Sequence, residues 1–195
     1  DYDQAVNQET AVLMKIHCSN YQIAGFSESA TISELAEVAA KHDLILIDDI
    51  GSGALFDYTR YGIQDEPVPT ESLNHGSDVV LFSGDKLLGG PQCGIIVGRQ
   101  DCLDRINQHP LMRALRVDKT IYAALAATLD IYLGPHPEQH IPLLSLLQQT
   151  VEILQQRAES MANHLRQRLP DSFHVETVSD VTFLGGGSVP GQEIS

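Results

Sequence analysis

The sequence predicts an α/β fold: a mostly parallel β-sheet with one antiparallel strand, helices between the strands, and the start of a smaller α+β unit near the C-terminal end. Three observations predict it. Short, mostly apolar runs at Val12 to Cys18, Leu44 to Asp48 and Val79 to Phe82 alternate with helical patterns, as strands buried on both faces do. Right-handed crossovers through those helices make the three strands parallel. The next apolar run, Gly94 to Gly98, follows a glycine-rich connection of only 11 residues (83–93). That is too short for a helical crossover, so this strand is expected to run antiparallel to its neighbours.

Residues 3–9 read as the end of a helix, and Val12 to Cys18 as a strand running into polar Ser19-Asn20; residues 20–30 read as loop. Thr31-Ile32-Ser33-Glu34 has the spacing of a capping box, a hydroxyl at the N-cap and a carboxylate three residues on. The helix it starts runs to about His42, with Leu35, Val38 and Ala39 on one face. Leu44 to Asp48 is a strand ending in two acids, and Gly51-Ser52-Gly53 turns the chain. Residues 54–68 form an irregular excursion, a short helix covers about 70–75, and a strand covers 78–82. A helix over about 99–108 stops before Pro110. Asp118 to Leu133 is helical, with alanines that permit close packing. Pro142 is expected to open one long helix to about Leu169, with a stripe of Leu143, Leu146, Leu147, Thr150, Leu154 and Ala158. Strands near 173–178 and 180–184 open the smaller unit. The expected organisation is therefore a partial large domain over 1–140, a connecting helix over 141–170 and the beginning of a C-terminal domain over 171–195.

With 26 acidic and 12 basic residues the net charge is −14, which argues against a broadly basic nucleic-acid-binding surface in this stretch while leaving room for a local basic site. Cys18, Cys93 and Cys102 have neither disulfide nor metal-ligand spacing, which fits a reducing cytoplasm. No apolar run approaches the roughly 20 residues of a membrane span, and no signal peptide opens the chain. The chain begins without Met inside structured-looking sequence and stops just after a strand and a glycine turn, so a fragment is expected.

One stretch draws the rest together: Leu81-Phe82-Ser83-Gly84-Asp85-Lys86-Leu87-Leu88-Gly89-Gly90-Pro91-Gln92. Lys86 leaves a buried strand and enters a loop with three glycines and a proline. A lysine there is costly to bury unless it is paired or chemically used, and an amine in such a place is suited to Schiff-base formation. Asp48-Asp49 ends a central strand before a glycine turn, and in open parallel sheets the carboxyl ends of strands form the ligand crevice. His17, Asp49 and Lys86 are all expected at that edge. An imidazole, a carboxylate and a lysine with glycine turns match the needs of pyridoxal phosphate. A solvated strand end and a plain loop lysine give the same spacing.

The segments His17-Cys18-Ser19-Asn20-Tyr21, Asp49-Ile50-Gly51-Ser52-Gly53, Ser83 through Gln92 and Leu111-Met112-Arg113-Ala114-Leu115-Arg116-Val117-Asp118-Lys119 closely resemble bacterial selenocysteine synthase, the L-seryl-tRNA(Sec) selenium transferase family. The resemblance runs from about residue 12 to 170 and continues weakly into Gly185-Gly186-Gly187-Ser188. It implies a fold-type-I pyridoxal-phosphate enzyme with an aspartate aminotransferase-like large domain. It implies that seryl-tRNA(Sec) becomes selenocysteinyl-tRNA(Sec) with selenophosphate as donor, in a cytoplasmic homo-oligomer. Carried over by position, Lys86 is the Schiff-base lysine, Ser83 a ligand of the cofactor phosphate, Asp49 the partner of the pyridine nitrogen, and His17 a residue bordering the ring. Asp48 is the weaker alternative, because consecutive strand side chains point to opposite faces. Arg113 and Arg116, three apart in an arginine-poor chain, are implied to hold the selenium donor; a pair of surface arginines is the plain alternative. Lys119 carries no assignment.

The resembled family has a glycine-rich phosphate-binding segment and a tRNA-binding region ahead of residue 1, and more of the small domain beyond residue 195, so this piece alone is expected to bind cofactor poorly. Structural use of Cys18 and Cys93 is favoured over a nucleophilic role. A metal site from His17, Cys18 and the two aspartates matches no compact ligand motif, and none is expected. A different pyridoxal-phosphate enzyme, such as a sugar-acid ammonia-lyase, and a non-catalytic binding homologue stay open. A dinucleotide oxidoreductase is disfavoured, because no Gly-x-Gly-x-x-Gly follows a strand.

Overall fold

The computed structural model describes residues 1–18, 25, 28–184 and 193–194. Ser19-Asn20-Tyr21, most of the expected 20–30 loop and Gly185-Gly186-Gly187-Ser188 lie outside the described residues. In order, the elements are α1 (Tyr2–Ala5), β1 (Val12–Ile16), α2 (Ile32–His42), β2 (Ile45–Gly51), α3 (Pro69–Asn74), β3 (Val79–Ser83) and β4 (Gly94–Gly98). Then come α4 (Gln100–Gln108), α5 (Met112–Leu115), α6 (Lys119–Leu133), α7 (Pro142–Leu147), α8 (Val151–Arg166), β5 (Thr182–Phe183) and β6 (Glu193–Ile194).

The main sheet has the order β1-β2-β3-β4. β1, β2 and β3 are parallel, and β4 runs antiparallel to β3, with Ser83 opposite Gly94 and Val79 opposite Gly98. The short glycine-rich connection has the consequence expected of it. The parallel register pairs Leu13 with Leu46 and Ile16 with Asp49. Because strand side chains alternate, Leu13, Lys15 and His17 share a face with Leu46, Asp48 and Ile50. Met14 and Ile16 share the other with Ile47 and Asp49.

The first face is covered by helices. Leu35 and Ala39 of α2 pack on Leu13 and Leu46, and Ile50, Val80 and Phe82 form a second cluster with Leu73 of α3. Each fully buried leucine among them contributes about 1.5–3 kcal/mol. The helix α2 begins as its sequence requires: Thr31 Oγ1 accepts from Glu34 N (3.2 Å), and Glu34 accepts from Thr31 N (2.7 Å). It ends at Asp43 in the left-handed region (φ 54°).

Four expectations are corrected. The early helix is confined to Tyr2–Ala5, and β1 ends at Ile16, where His17 N bonds Asp49 O. The long helix from Pro142 is two helices. Thr150 leaves the stripe and caps α8, its side chain accepting from Ile153 N at 3.4 Å, so Leu146 and Leu154 stand exposed and Leu144 is the buried residue. Residues 173–178 form no strand; the expected 180–184 strand is Thr182–Phe183, paired with β6.

Thr31→Ala is expected to lower stability by about 1 kcal/mol by removing the cap. Substituting the exposed Glu37 by Ala on the same helix is expected to change it by less than about 0.5 kcal/mol. Urea denaturation of the two variants checks both.

Candidate functional site

Lys86 is half-buried, in the turn between β3 and β4. The turn is fixed by main-chain bonds on both sides of it: Gly84 N to Cys93 O, Gly90 N to Gly84 O, Gly89 N to Lys86 O and Leu87 N to Ser52 O, all 2.8–2.9 Å. The last of these ties the residue after Lys86 to the turn that ends β2. Two phenols hold the loop from within the protein. Tyr58 Oη donates to Leu87 O (2.7 Å) and Tyr132 Oη to Leu88 O (2.9 Å).

Leu87 itself sits in a core cluster with Ala54, Tyr58, Ile63, Ile141 and Leu144. Phe56 stacks on Tyr58 with centroids 4.9 Å apart, and the Arg60 guanidinium lies over Phe56 at 4.7 Å. The irregular excursion after β2 therefore builds the floor under the lysine. Glycine is required at the contact points. A Cβ on Gly53 (φ +72°) would lie 2.5 Å from Ser83 O, and one on Gly84 would lie 2.6 Å from Pro91 O.

The two neighbouring aspartates have different environments. Asp48 is buried and accepts from Ser72 Oγ at 2.6 Å, and Ser72 in turn bonds Ser77 at 2.8 Å. Burial pushes the Asp48 carboxyl up, against the pull of Ser72. It is a structural acid joining β2 to α3. Asp49, on the opposite face and half-buried, has no side-chain hydrogen bond among the described residues. Ser83 ends β3 on the Asp49 face, two residues beyond Leu81, which is the partner of Asp49. His17 follows β1 on the Asp48 face, so the strand edge brings His17 and Asp49 together through the main chain while their side chains diverge.

Arg113 lies on α5 and Arg116 caps its end; both are exposed, and neither guanidinium is hydrogen-bonded or ion-paired among the described residues. Among the described residues no hydrogen bond or ion pair joins them to the Lys86 turn. Cys93 packs beside that turn, with Sγ 3.5 Å from Pro91 O, and burial pushes its thiol up. A structural role fits it. Among the described residues no three His, Cys, Asp or Glu side chains cluster as a metal site, and no helix is long and apolar enough to cross a membrane.

Sequence reasoning passes over Glu66. Its side chain is 3% exposed, and Oε2 lies 3.9 Å from His17 Nε2. Burial pushes the Glu66 carboxyl up, while the Ser52 hydroxyl and the charges of His17 and Lys86 oppose that shift. A lone acid between Asp65 and Pro67, in a stretch without period, carries no signal that marks it as buried.

A family model described as L-seryl-tRNA selenium transferase (SelA) matches residues 1–195. The chain belongs to that family. The L-seryl-tRNA(Sec) selenium transferase of Hyphomonas neptunium is 48% identical over 195 residues, which is 100% of this chain and 42% of the relative. That of Pasteurella multocida is 48% identical over 191 residues, 97% of this chain and 42% of the relative. The chain thus spans about 42% of the length of these curated relatives. Among solved structures, D-glucosaminate-6-phosphate ammonia-lyase matches with a TM-score of 0.56 at 22% identity, over 82% of this chain and 37% of that one. At that identity the likeness concerns the fold, which is the mostly parallel α/β sheet expected from the sequence.

Two predictions follow from the geometry around Lys86. Tyr58→Phe leaves the Leu87 carbonyl without its buried partner and is expected to cost about 1–3 kcal/mol. Urea denaturation reads the loss, and faster amide exchange at Gly89 and Gly90 places it in the Lys86 turn. For Glu66 the folded carboxyl binds its proton more tightly than the unfolded one. Its contribution to stability is therefore full below the unfolded value near 4.5 and is lost as pH rises through the folded value. Glu66→Gln is expected to flatten that decline in a series of urea melts across pH.

Proposed function

We propose that this chain supplies the lysine-bearing part of a pyridoxal-phosphate site in an enzyme that converts seryl-tRNA(Sec) to selenocysteinyl-tRNA(Sec), with selenophosphate as the selenium donor. Membership of the L-seryl-tRNA selenium transferase family supports the reaction. The observation that carries the site is the half-buried Lys86, held on a glycine turn tied to the end of β2.

The residues present fit the cofactor. An amine, a carboxylate with free acceptor oxygens and a hydroxyl stand at the carboxyl edge of one sheet, beside backbone too close for any side chain at Gly53 or Gly84. Lys86 would hold the cofactor covalently. Asp49 would hold a proton on the ring nitrogen, Ser83 would donate to the phosphate, and His17 would border the ring. When bound, the cofactor supplies an electron sink for negative charge next to the substrate amino group.

The chain's own residues do the rest. The Lys86 amine would accept the proton from the substrate α-carbon. Asp49 would face the ring nitrogen, where a carboxylate lowers the cost of the developing charge. The buried Tyr58 and half-buried Tyr132 clamps keep the turn that carries the amine from drifting between these tasks. Arg113 and Arg116 form a fork for the donor phosphate. Their exposure and separate placement support delivery to the site from a neighbouring subunit of a homo-oligomer. The cysteine usage and the tRNA substrate support a cytoplasmic setting.

The test is turnover of seryl-tRNA(Sec) with selenophosphate by the whole protein, alongside cofactor absorbance. Lys86→Ala is expected to abolish turnover and the borohydride-sensitive band. A band that borohydride still traps in this variant refutes the assignment of Lys86. Arg113→Ala and Arg116→Ala are each expected to keep the band and to raise the KM for selenophosphate about tenfold or more, the scale of one lost charge-assisted hydrogen bond.

A further inference from the structure

Three buried polar atoms face the space between the end of β1, the turn after β2 and the segment before α3: His17 Nε2, Ser52 Oγ and Glu66 Oε1. None makes a hydrogen bond of ordinary geometry among the described residues, although the Ser52 hydroxyl is near enough to Glu66 to pull its carboxyl down. Native interiors rarely leave such atoms unpaired, and each instance asks for a use. Here they come from three separate segments and include a carboxyl whose side chain is 3% exposed. An apolar side chain would fill the Glu66 position without the desolvation cost of an acid, so packing alone does not account for it.

The surroundings point to Lys86. Glu66 Oε2 is 3.9 Å from His17 Nε2. The Lys86 charge acts on the Glu66 carboxyl, as does that of His17. Ser52 bridges the same places by main chain, because its carbonyl accepts from Leu87 N at 2.8 Å. Ser52 thus stands between the acid, through its side chain, and the residue after the lysine, through its main chain.

We propose that Glu66 is a positioning residue of the Lys86 site: its carboxylate faces His17 and Lys86 and sets the pH at which the lysine-linked nitrogen gives up its proton once a carbonyl cofactor is attached. This rests on the reading of Lys86 as the Schiff-base lysine. An opposite charge within about 4–6 Å favours a protonated nitrogen by one to three pKa units. The other charged groups around the pair are distinct. Lys15 and Asp48 share the sheet face of His17, Asp49 lies on the other face, and Asp65 and Asp85 are exposed neighbours in sequence of Glu66 and Lys86. Substituting Glu66 leaves all of them in place, so a change in the titration reads Glu66.

The experiment is a pH titration of the cofactor absorbance band in the whole protein loaded with pyridoxal phosphate, with borohydride reduction and peptide mapping to establish linkage at Lys86. Glu66→Gln keeps the side-chain shape and removes the charge. It is expected to retain linkage at Lys86 and to lower the midpoint of the band by about one unit or more. Glu71→Gln, at an exposed acid of α3, is expected to leave the midpoint in place. An unchanged midpoint in Glu66→Gln, with linkage at Lys86 intact, overturns the role of Glu66 and leaves the proposed function standing. Absence of any linkage at Lys86 in the unsubstituted protein overturns both. If Glu66→Gln does not fold, as judged by circular dichroism, Glu66→Asp decides: the carboxylate is drawn back by one methylene, and a smaller downward shift is expected. No shift there overturns the inference.

Discussion

The Lys86 turn is held through its own backbone carbonyls, and much of the structure exists to reach them. A turn rich in glycine carries a large entropic cost when ordered. That cost is met here by directed bonds to Leu87 O and Leu88 O from two phenols, and by the bond from Leu87 N to Ser52 O. Each phenol needs its own support. Tyr58 is buried in the excursion after β2, where Phe56 stacks on it and carries Arg60 over its own ring, and Tyr132 comes from the last turn of α6. The irregular segment 54–68, the long α6 and the Pro142 helix thus converge on one loop. Leu87 completes the arrangement as an apolar anchor beside the lysine. The lysine is left half-buried at the edge of a packed core, on a backbone that those bonds fix.

The same edge shows how two adjacent carboxylates acquire separate tasks. Asp48 points to the face covered by α2 and α3, and there it must find Ser72 to be buried at all. Asp49 points to the opposite face and keeps its acceptors free. Alternation along one strand therefore does what two distant residues would otherwise do. Glu66 is a third acid with a third solution. It is buried with incomplete hydrogen bonding, between an imidazole and the Lys86 turn, so its energy depends on the charge state of those neighbours. A protein keeps such a group where proton placement matters.

How much of this could be read from the sequence depended on whether each feature has a local cause. The parallel strands were legible because their short apolar runs alternate with helical patterns, although Val12, Met14 and Ile16 of β1 are exposed rather than buried on both faces. The reversal at β4 was legible because chain length limits what 11 residues can span. The capping box was legible because Thr31 and Glu34 satisfy each other within one turn. The break between α7 and α8 was not, because the leucine stripe continues through it. Thr150 fits both a stripe and a cap, and packing against the floor of the Lys86 turn chooses the cap. The expected strand at 173–178 had apolar residues but no partner in register among the described residues. Of the site, Lys86 and Asp49 were marked by their place at strand ends beside glycine. Glu66, Tyr58 and Tyr132 were not, since the excursion and the alanine-rich helix give no period that tells an anchor from a neighbour.

The uneven covering of the sheet decides where a ligand can sit. On the Asp48 face, α2 and α3 bring Leu35, Ala39 and Leu73 down onto the strands and leave a small cavity lined by Lys15, His17, Asp48, Glu71 and Ser72. On the Asp49 face the helices α4 and α5 stand off. Val12, Ile45, Ile47 and Val79 line a groove with Leu111, Met112 and Leu115, and Met14 and Ile16 are exposed beside it. Ser83 belongs to that face as well, by the same alternation that places Asp49 there. His17 follows β1 on the Asp48 face, where the buried Glu66 lies 3.9 Å from its ring. The division of labour between the two faces follows from one fact of covalent geometry: successive side chains on a strand point in opposite directions.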